Sequence, residues 1–190
     1  MSKLIKSGVS IGLVNPKYPH NVGAAIRGAS CFGAENVFFS GNRIPVDNPA
    51  YRIPREERMK GYQDVHWEKC DKFFDRFDSN VIPVAIEFRP GSESLDEFEH
   101  PENALYVFGP EDGSLGRGVL TKCHRFIVIP TRHCLNLSVA VNIVLYDRIS
   151  KLRSQGIKET YSYGPKEDML EDIYQQQLGR EEELHKAGIK

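Results

Sequence analysis

The sequence predicts an α/β domain built on a mainly parallel sheet. Three observations carry this expectation. Short runs of β-branched and aromatic residues alternate with helix-length segments from residue 9 to residue 153. The runs end at turn signals. A 190-residue chain with 40% hydrophobic residues can also bury one proper core.

The elements follow in order. VSIGLV (9–14) is a strand closed by Asn15-Pro16. His20 to Gly33 is a helix whose alanines and glycines suit close packing on a sheet, with a single guanidinium, Arg27, at its centre. NVFFSG (36–41) is the next strand. Residues 42–63 hold three prolines, two tyrosines and the cations Arg43, Arg52, Arg55, Arg58 and Lys60 without a clean period, so they form a long loop. Beyond Asp64, an N-cap candidate, Trp67, Cys70, Phe74 and Phe77 recur at helical spacing, which predicts a helix with an aromatic face on the sheet. VIPVAIE (81–87) is a buried strand, SESLDEF (92–98) a short helix, and ALYVF (104–108) and RFIVIP (125–130) two more strands. LSVAVNIVLYDRISKLR (137–153) is a helix apolar on most sides, which belongs in a core or an interface. Past Gln155 the composition turns polar. The expected organisation is a domain over 1–155 and an accessory helical extension over 156–190, with Met169, Leu170, Ile173 and Leu178 as a docking stripe in a helix over 166–187.

Bulk properties narrow the function. Lys and Arg total 25 against 26 Asp and Glu, a net charge of −1, which excludes coating nucleic acid through an overall positive field. Any such binding needs a local patch or a dimer groove. No window approaches the roughly 18 uninterrupted apolar residues of a membrane span, and MSKLIKSGVS lacks a signal-length apolar stretch, so a cytoplasmic protein is expected. Four cysteines at wide spacings read as reduced thiols. Cys123-His124 and His133-Cys134 place ligand types side by side, where adjacent strand side chains point oppositely, so no metal site is expected.

Familiar enzyme templates fail. GAAIRGAS (23–30) has phosphate-loop glycine spacing, but Ala29 stands where that loop needs lysine. There is no G-x-G-x-x-G after the first strand, no G-x-S-x-G and no H-E-x-x-H.

Three segments place glycine or polar residues where strands end, the position at which open α/β sheets gather ligands: NVGAAIR (21–27), FGPEDGSLGRG (108–118) and IPTRHCLNLSVAVN (129–142). The first holds Asn21, Gly23 and Arg27, the second Phe108, Gly109, Pro110 and Glu111, and the third Ile129, Pro130, Leu135, Asn136, Leu137 and Ser138. Together and in this order they resemble the three motifs of the SpoU or TrmH family, the RNA ribose 2'-O-methyltransferases of the SPOUT superfamily. The resemblance covers about residues 9–153. Cys134 departs from the serine many relatives carry before Leu-Asn, and a thiol is the weaker donor.

The resemblance implies a SPOUT-type parallel sheet with helices on both faces and a C-terminal trefoil knot, although general topology rules make knots nearly absent. It implies S-adenosylmethionine bound by Ile86, Gly109, Ile129, Cys134 and Leu135, and a tRNA or rRNA substrate. It further implies a homodimer, with Arg27 acting in its own or its partner's site. Asn21, Arg27, Glu111 and Asn136 become the catalytic set. Asn21 and Asn136 orient Arg27 and the ribose, and Glu111 fixes the arginine or the loop. Ser138 is a candidate cap for the last helix, and Asn142 an internal helix contact. Arginine stays protonated in proteins, so positioning and electrostatic activation of the 2'-hydroxyl suit Arg27 better than general-base work. A buried guanidinium needs an anion or a cleft, and a plain ion pair with Glu111 is the structural alternative. Arg43, Arg52, Arg55, Arg58 and Lys60 are the RNA-contact candidates, against a simply solvated loop. Two other functions stay open: methylation of a base nitrogen by a related enzyme, and RNA binding without catalysis.

Overall fold

The computed structural model describes residues 4–45, 62–155 and 175. The chain separates into two compact units, Met1–Lys158 and Glu159–Lys190, and the first holds everything below. The VSIGL run is β1 (Val9–Leu13), buried at all five positions. Pro19 then starts α1 (Pro19–Cys31), as expected of a residue whose missing N–H costs nothing at a first helical position. The strands β2 (Asn36–Phe39), β3 (His66–Lys69), β4 (Ile82–Ile86), β5 (Glu93–Ser94) and β6 (Ala104–Phe108) follow. The short α2 (Arg117–Leu120), β7 (Arg125–Val128) and α3 (Leu137–Ser154) complete the unit.

The seven strands form one sheet in the order β3-β2-β1-β6-β4-β7-β5, every pairing parallel. Parallel sheets need both faces covered. Alternate side chains divide accordingly. Ile11, Leu13, Val37, Tyr106 and Ile127 meet Ala25, Ile26 and Ala29 of α1 and Val141, Val144 and Leu145 of α3. On the other face Phe38, Leu105 and Val107 meet Phe73, Leu115 and Cys123. The two long helices pack closely because Gly28 leaves room: a Cβ there would stand 2.6 Å from Asn142 Oδ1. Asn142 is thus the internal helix contact expected of it, and its amide also donates to Ser138 O at 2.7 Å.

Two elements depart from expectation. The predicted helix after Asp64 is instead a 3₁₀ turn at Tyr62–Asp64, the edge strand β3 and a second 3₁₀ turn at Phe73–Arg76. Its aromatic spacing does not mark one stripe. Trp67 packs on the α1–α3 side of the sheet, whereas Cys70, Phe74 and Phe77 pack on the opposite side around Phe73. SESLDEF is not a helix either. Glu93 is gripped by Arg125 through two bonds of 2.8 and 2.7 Å, which holds the chain extended as β5. The predicted helix over 166–187 lies outside the described residues apart from residue 175. The cysteines are free thiols, with Cys31 and Cys134 exposed and Cys123 buried.

One polar network ties α3 to the sheet and to the chain entering β6. The His100 side chain, 1% exposed, stands 2.6 Å from Tyr106 Oη through Nδ1 and 2.8 Å from Asp147 Oδ2 through Nε2. A carboxylate only accepts, so Nε2 carries the proton and Nδ1 takes the tyrosine's. Lys151 pairs with Asp147 at 2.8 Å, and the buried Arg148 donates to Pro101 O and Glu102 O at 2.6 and 2.8 Å. Burial pushes His100 down to about 4 against the opposing pull of Asp147. Because the folded value lies below the unfolded one, this stability is complete above pH 6.5 and is lost as the pH falls toward 4. We expect the loss to reach about 2 kcal/mol by about pH 5. Denaturant unfolding across that range should show it in the wild type and show a flatter dependence in His100→Gln.

Candidate functional site

Four adjacent strands, β1, β6, β4 and β7, end at one edge of the sheet, and the predicted motifs leave from three of those ends. Backbone and side-chain bonds fasten the exits to each other. Val14 N donates to Phe108 O at 2.9 Å, Glu87 N to Ile127 O at 3.0 Å, and Leu115 N to Glu87 Oε2 at 2.8 Å.

The three motifs share one chain of hydrogen bonds. Asn136 Nδ2 donates to Asn21 Oδ1 at 3.0 Å, and Asn21 Nδ2 donates to Glu111 Oε1 at 2.5 Å. Glu111 also accepts from Lys17 N at 2.7 Å and Tyr18 N at 3.4 Å. The N-cap of α1, Tyr18, makes no side-chain cap bond. A carboxylate from the far motif takes that place, at the end of the helix where negative charge is favoured. Burial works to raise the Glu111 pKa, but the donors from Asn21, Lys17 and Tyr18 outweigh it and hold the carboxyl below its ordinary range. Asn136 does double duty as the N-cap of α3, accepting from Ser138 N at 2.9 Å and Val139 N at 3.4 Å. The cap is therefore Asn136 and not Ser138, whose hydroxyl donates to Asn136 Oδ1 at 2.7 Å.

Arg27 sits differently from expectation. It is exposed, and it makes no hydrogen bond or ion pair with any described residue. The desolvation argument therefore does not apply to it, and the structural alternative of an ion pair with Glu111 is replaced by the Glu111–Asn21 bond. Asn21 and Gly28 face the interior of α1, and Arg27 stands on its outer side.

The predicted cofactor residues lie at the same sheet edge. Ile86 ends β4, Gly109 follows β6, and Ile129 follows β7. Ile86, Ile129 and Leu135 are partly buried against the α1–α3 core, and Cys134 is exposed. Gly109 directly follows β6, and an added Cβ there would make ordinary contact with Leu115, 3.4 Å from its backbone N. A separate apolar groove of about 620 Å³ runs along α3, lined among others by Phe32, Ile129, Pro130, Val139, Ile143 and Tyr146. Of the predicted cofactor set it shares Ile129 alone.

Arg43 is described and bonds Asp112 at 2.6 Å. Arg52, Arg55, Arg58 and Lys60 lie outside the described residues. Sequence reading missed Glu87, whose signal was an acid closing a buried strand, and the Lys17–Asp112 ion pair at 3.3 Å, for which spacing gave none.

The profile of the SpoU rRNA methylase family matches residues 8–146. The chain belongs to the SpoU rRNA methylase family. The tRNA (cytidine-2'-O-)-methyltransferase TrmJ of Methanocaldococcus jannaschii is 30% identical over 165 residues, spanning 75% of this chain and 68% of that protein. Two solved SpoU-family structures share the fold. The A. aeolicus TrmH/SpoU tRNA modifying enzyme aligns over 90% of this chain and 87% of its own, with TM-score 0.68 and 20% identity. AviRb of Streptomyces viridochromogenes in complex with AdoMet aligns over 80% of this chain and 63% of its own, with TM-score 0.65 and 19% identity.

Proposed function

We propose that this SpoU-family chain is an S-adenosylmethionine-dependent methyltransferase acting on a ribose 2'-hydroxyl of RNA, with tRNA the favoured class. The observation that carries the reading is the continuous hydrogen-bonded chain Asn136–Asn21–Glu111, which joins the three strand-end motifs. The tRNA preference rests on the archaeal relative's activity. The reading includes a catalytic domain over 1–155, an accessory extension over 156–190, a cytoplasmic location and a homodimer. The exposed Val139 and Tyr146 on α3 support the dimer, since a contiguous apolar patch of that kind calls for cover. It also includes the trefoil knot. In its support, β7 is inserted between β4 and β5, which are consecutive in the chain.

Ile86, Gly109, Ile129, Cys134 and Leu135 would hold the cofactor, and their support is that Ile86, Gly109 and Ile129 stand at the ends of the adjacent strands β4, β6 and β7. When bound, S-adenosylmethionine supplies an electrophilic methyl carbon. The protein's task is alignment and charge. Asn21 and Asn136 fix the two helix ends between which the ribose is presented, and Glu111 fixes the 109–116 loop to the start of α1. Arg27, in its own or the partner subunit's site, places a permanent positive charge where negative charge grows on the 2'-oxygen or sits on the adjoining phosphate, whose oxygen takes the proton.

Labelled-methyl transfer to total tRNA and to rRNA, followed by nucleoside analysis, tests this. The expected product resists alkaline cleavage at the modified ribose. A base-methylated nucleoside, or no incorporation at saturating cofactor, would overturn it in favour of one of the other two functions.

A further inference from the structure

The 109–116 loop carries a second acid with a different occupation from its neighbour. Glu111 is committed to Asn21 and to backbone N–H groups, whereas Asp112 is 41% exposed and collects two cations from separate segments. Lys17 Nζ stands 3.3 Å from one carboxylate oxygen and Arg43 Nη1 2.6 Å from the other. Lys17 leads into α1, and Arg43 opens the basic segment after β2. Both cations therefore lie on the strand-end side of the sheet that holds the Glu111–Asn21–Asn136 chain. Lys17 also lies 5.3 Å over the Tyr18 ring, and Tyr18 stacks on His20 at 5.4 Å between centroids and 21° between planes. Tyr18 and His20 are both exposed.

We propose that Lys17 and Arg43 form a binding site for an RNA backbone phosphate, and that Asp112 occupies this site in the RNA-free protein and gives way when substrate docks. The inference rests on the RNA methyltransferase reading and adds a recognition device to it. Two donors converging on the two oxygens of one carboxylate present the arrangement that two phosphate oxygens take. The pair is exposed, and exposed ion pairs are weak enough to be exchanged for another anion. The adjoining Tyr18–His20 stack offers a flat surface to the base of the same nucleotide. An internal carboxylate also makes chemical sense in a chain of net charge −1. It keeps two cations from collecting any polyanion, so that only an RNA making further contacts at the site displaces it.

A structural role for Asp112 predicts the opposite sign, because an acid that merely anchors Lys17 and Arg43 would disorder them when removed. Binding of unfractionated tRNA to the full chain across a salt series separates the two. Asp112→Asn is expected to tighten binding about 3- to 10-fold at low salt and to steepen the slope of log affinity against log salt by about 0.7, one phosphate's worth for single strands. Lys17→Ala and Arg43→Ala are expected to weaken binding and flatten the slope. Weaker or unchanged binding in Asp112→Asn, or an unchanged slope in both cation variants, overturns the proposal. Affinity for S-adenosylhomocysteine, measured on each variant, shows that the fold is retained. Methyl transfer by the wild type is read in parallel. Tightening without any ribose methylation removes the enzyme reading and leaves the anion site standing, and methylation without tightening removes only the anion site.

Discussion

Arg27→Ala is expected to lower kcat for ribose methylation by about 10²- to 10³-fold, the range seen when one preorganised electrostatic contact to a developing oxyanion is deleted. The fold should not notice. Arg27 is exposed and bonds no described residue, and alanine is the best helix former, so unfolding free energy should stay within about 0.5 kcal/mol. Arg27→Lys separates charge from geometry. An ammonium keeps the positive charge without the planar fork, so a partial recovery of roughly tenfold over alanine is expected if field strength dominates, and none if two oxygens must be held together. The kinetic split is equally informative. A guanidinium acting on the 2'-oxygen lowers kcat, whereas one holding a distant phosphate raises KM for RNA and leaves kcat alone. Wild-type rates in Arg27→Ala with cofactor and RNA at working concentrations would remove this residue from the chemistry.

The same residue shows how far sequence could be read. A helix of alanine and glycine suggested close packing on the sheet, and a guanidinium buried there then needed an anion or a cleft. The small residues instead serve one face: Gly28 admits Asn142 of α3, and Asn21 reaches Glu111 and Asn136, while Arg27 looks outward. Composition reported close packing correctly without saying on which side it ended. The strands β1, β2, β4, β6 and β7 were legible because β-branched runs bounded by turns have few other readings. The two edge strands were not. β3 is four residues long and sits in an aromatic pattern whose members divide between two faces of the sheet, and β5 is two residues held open by Arg125. Convergence of the three motifs was legible only as a resemblance, since the residues that meet are 90 and 115 positions apart. Nothing local announces that Glu111 caps α1, that Asp112 joins Lys17 to Arg43, or that His100 bridges Tyr106 and Asp147.

Asn21 is where stability and activity should fail together. Its amide is 1% exposed, and both of its ends are used, the oxygen by Asn136 and the nitrogen by Glu111. Asn21→Leu keeps the branched outline in a somewhat larger side chain, strands the Asn136 donor and leaves the Glu111 oxygen only the 3.4 Å bond from Tyr18 N. Each unsatisfied group costs about 1–3 kcal/mol, so a loss of about 2–4 kcal/mol is expected by denaturant unfolding. The 109–116 loop and the start of α3 lose their common tether, and methyl transfer should fall about 100-fold even where the protein remains folded. Asn21→Asp tests the electrostatics of the same contact. Two carboxylates at the Asn21–Glu111 distance of 2.5 Å cannot both stay ionised, so one of them holds a proton to higher pH than in the unfolded chain. A folded-state pKa raised in this way contributes stability at low pH that disappears as the pH rises through it. The Asn21→Asp variant should therefore regain stability relative to wild type between about pH 8 and about pH 5, whereas the deficit of Asn21→Leu should change little over that range. Parallel pH profiles of the two variants would mean that Glu111 does not face Asn21 in solution, and the hydrogen-bonded chain joining the three motifs would go with it.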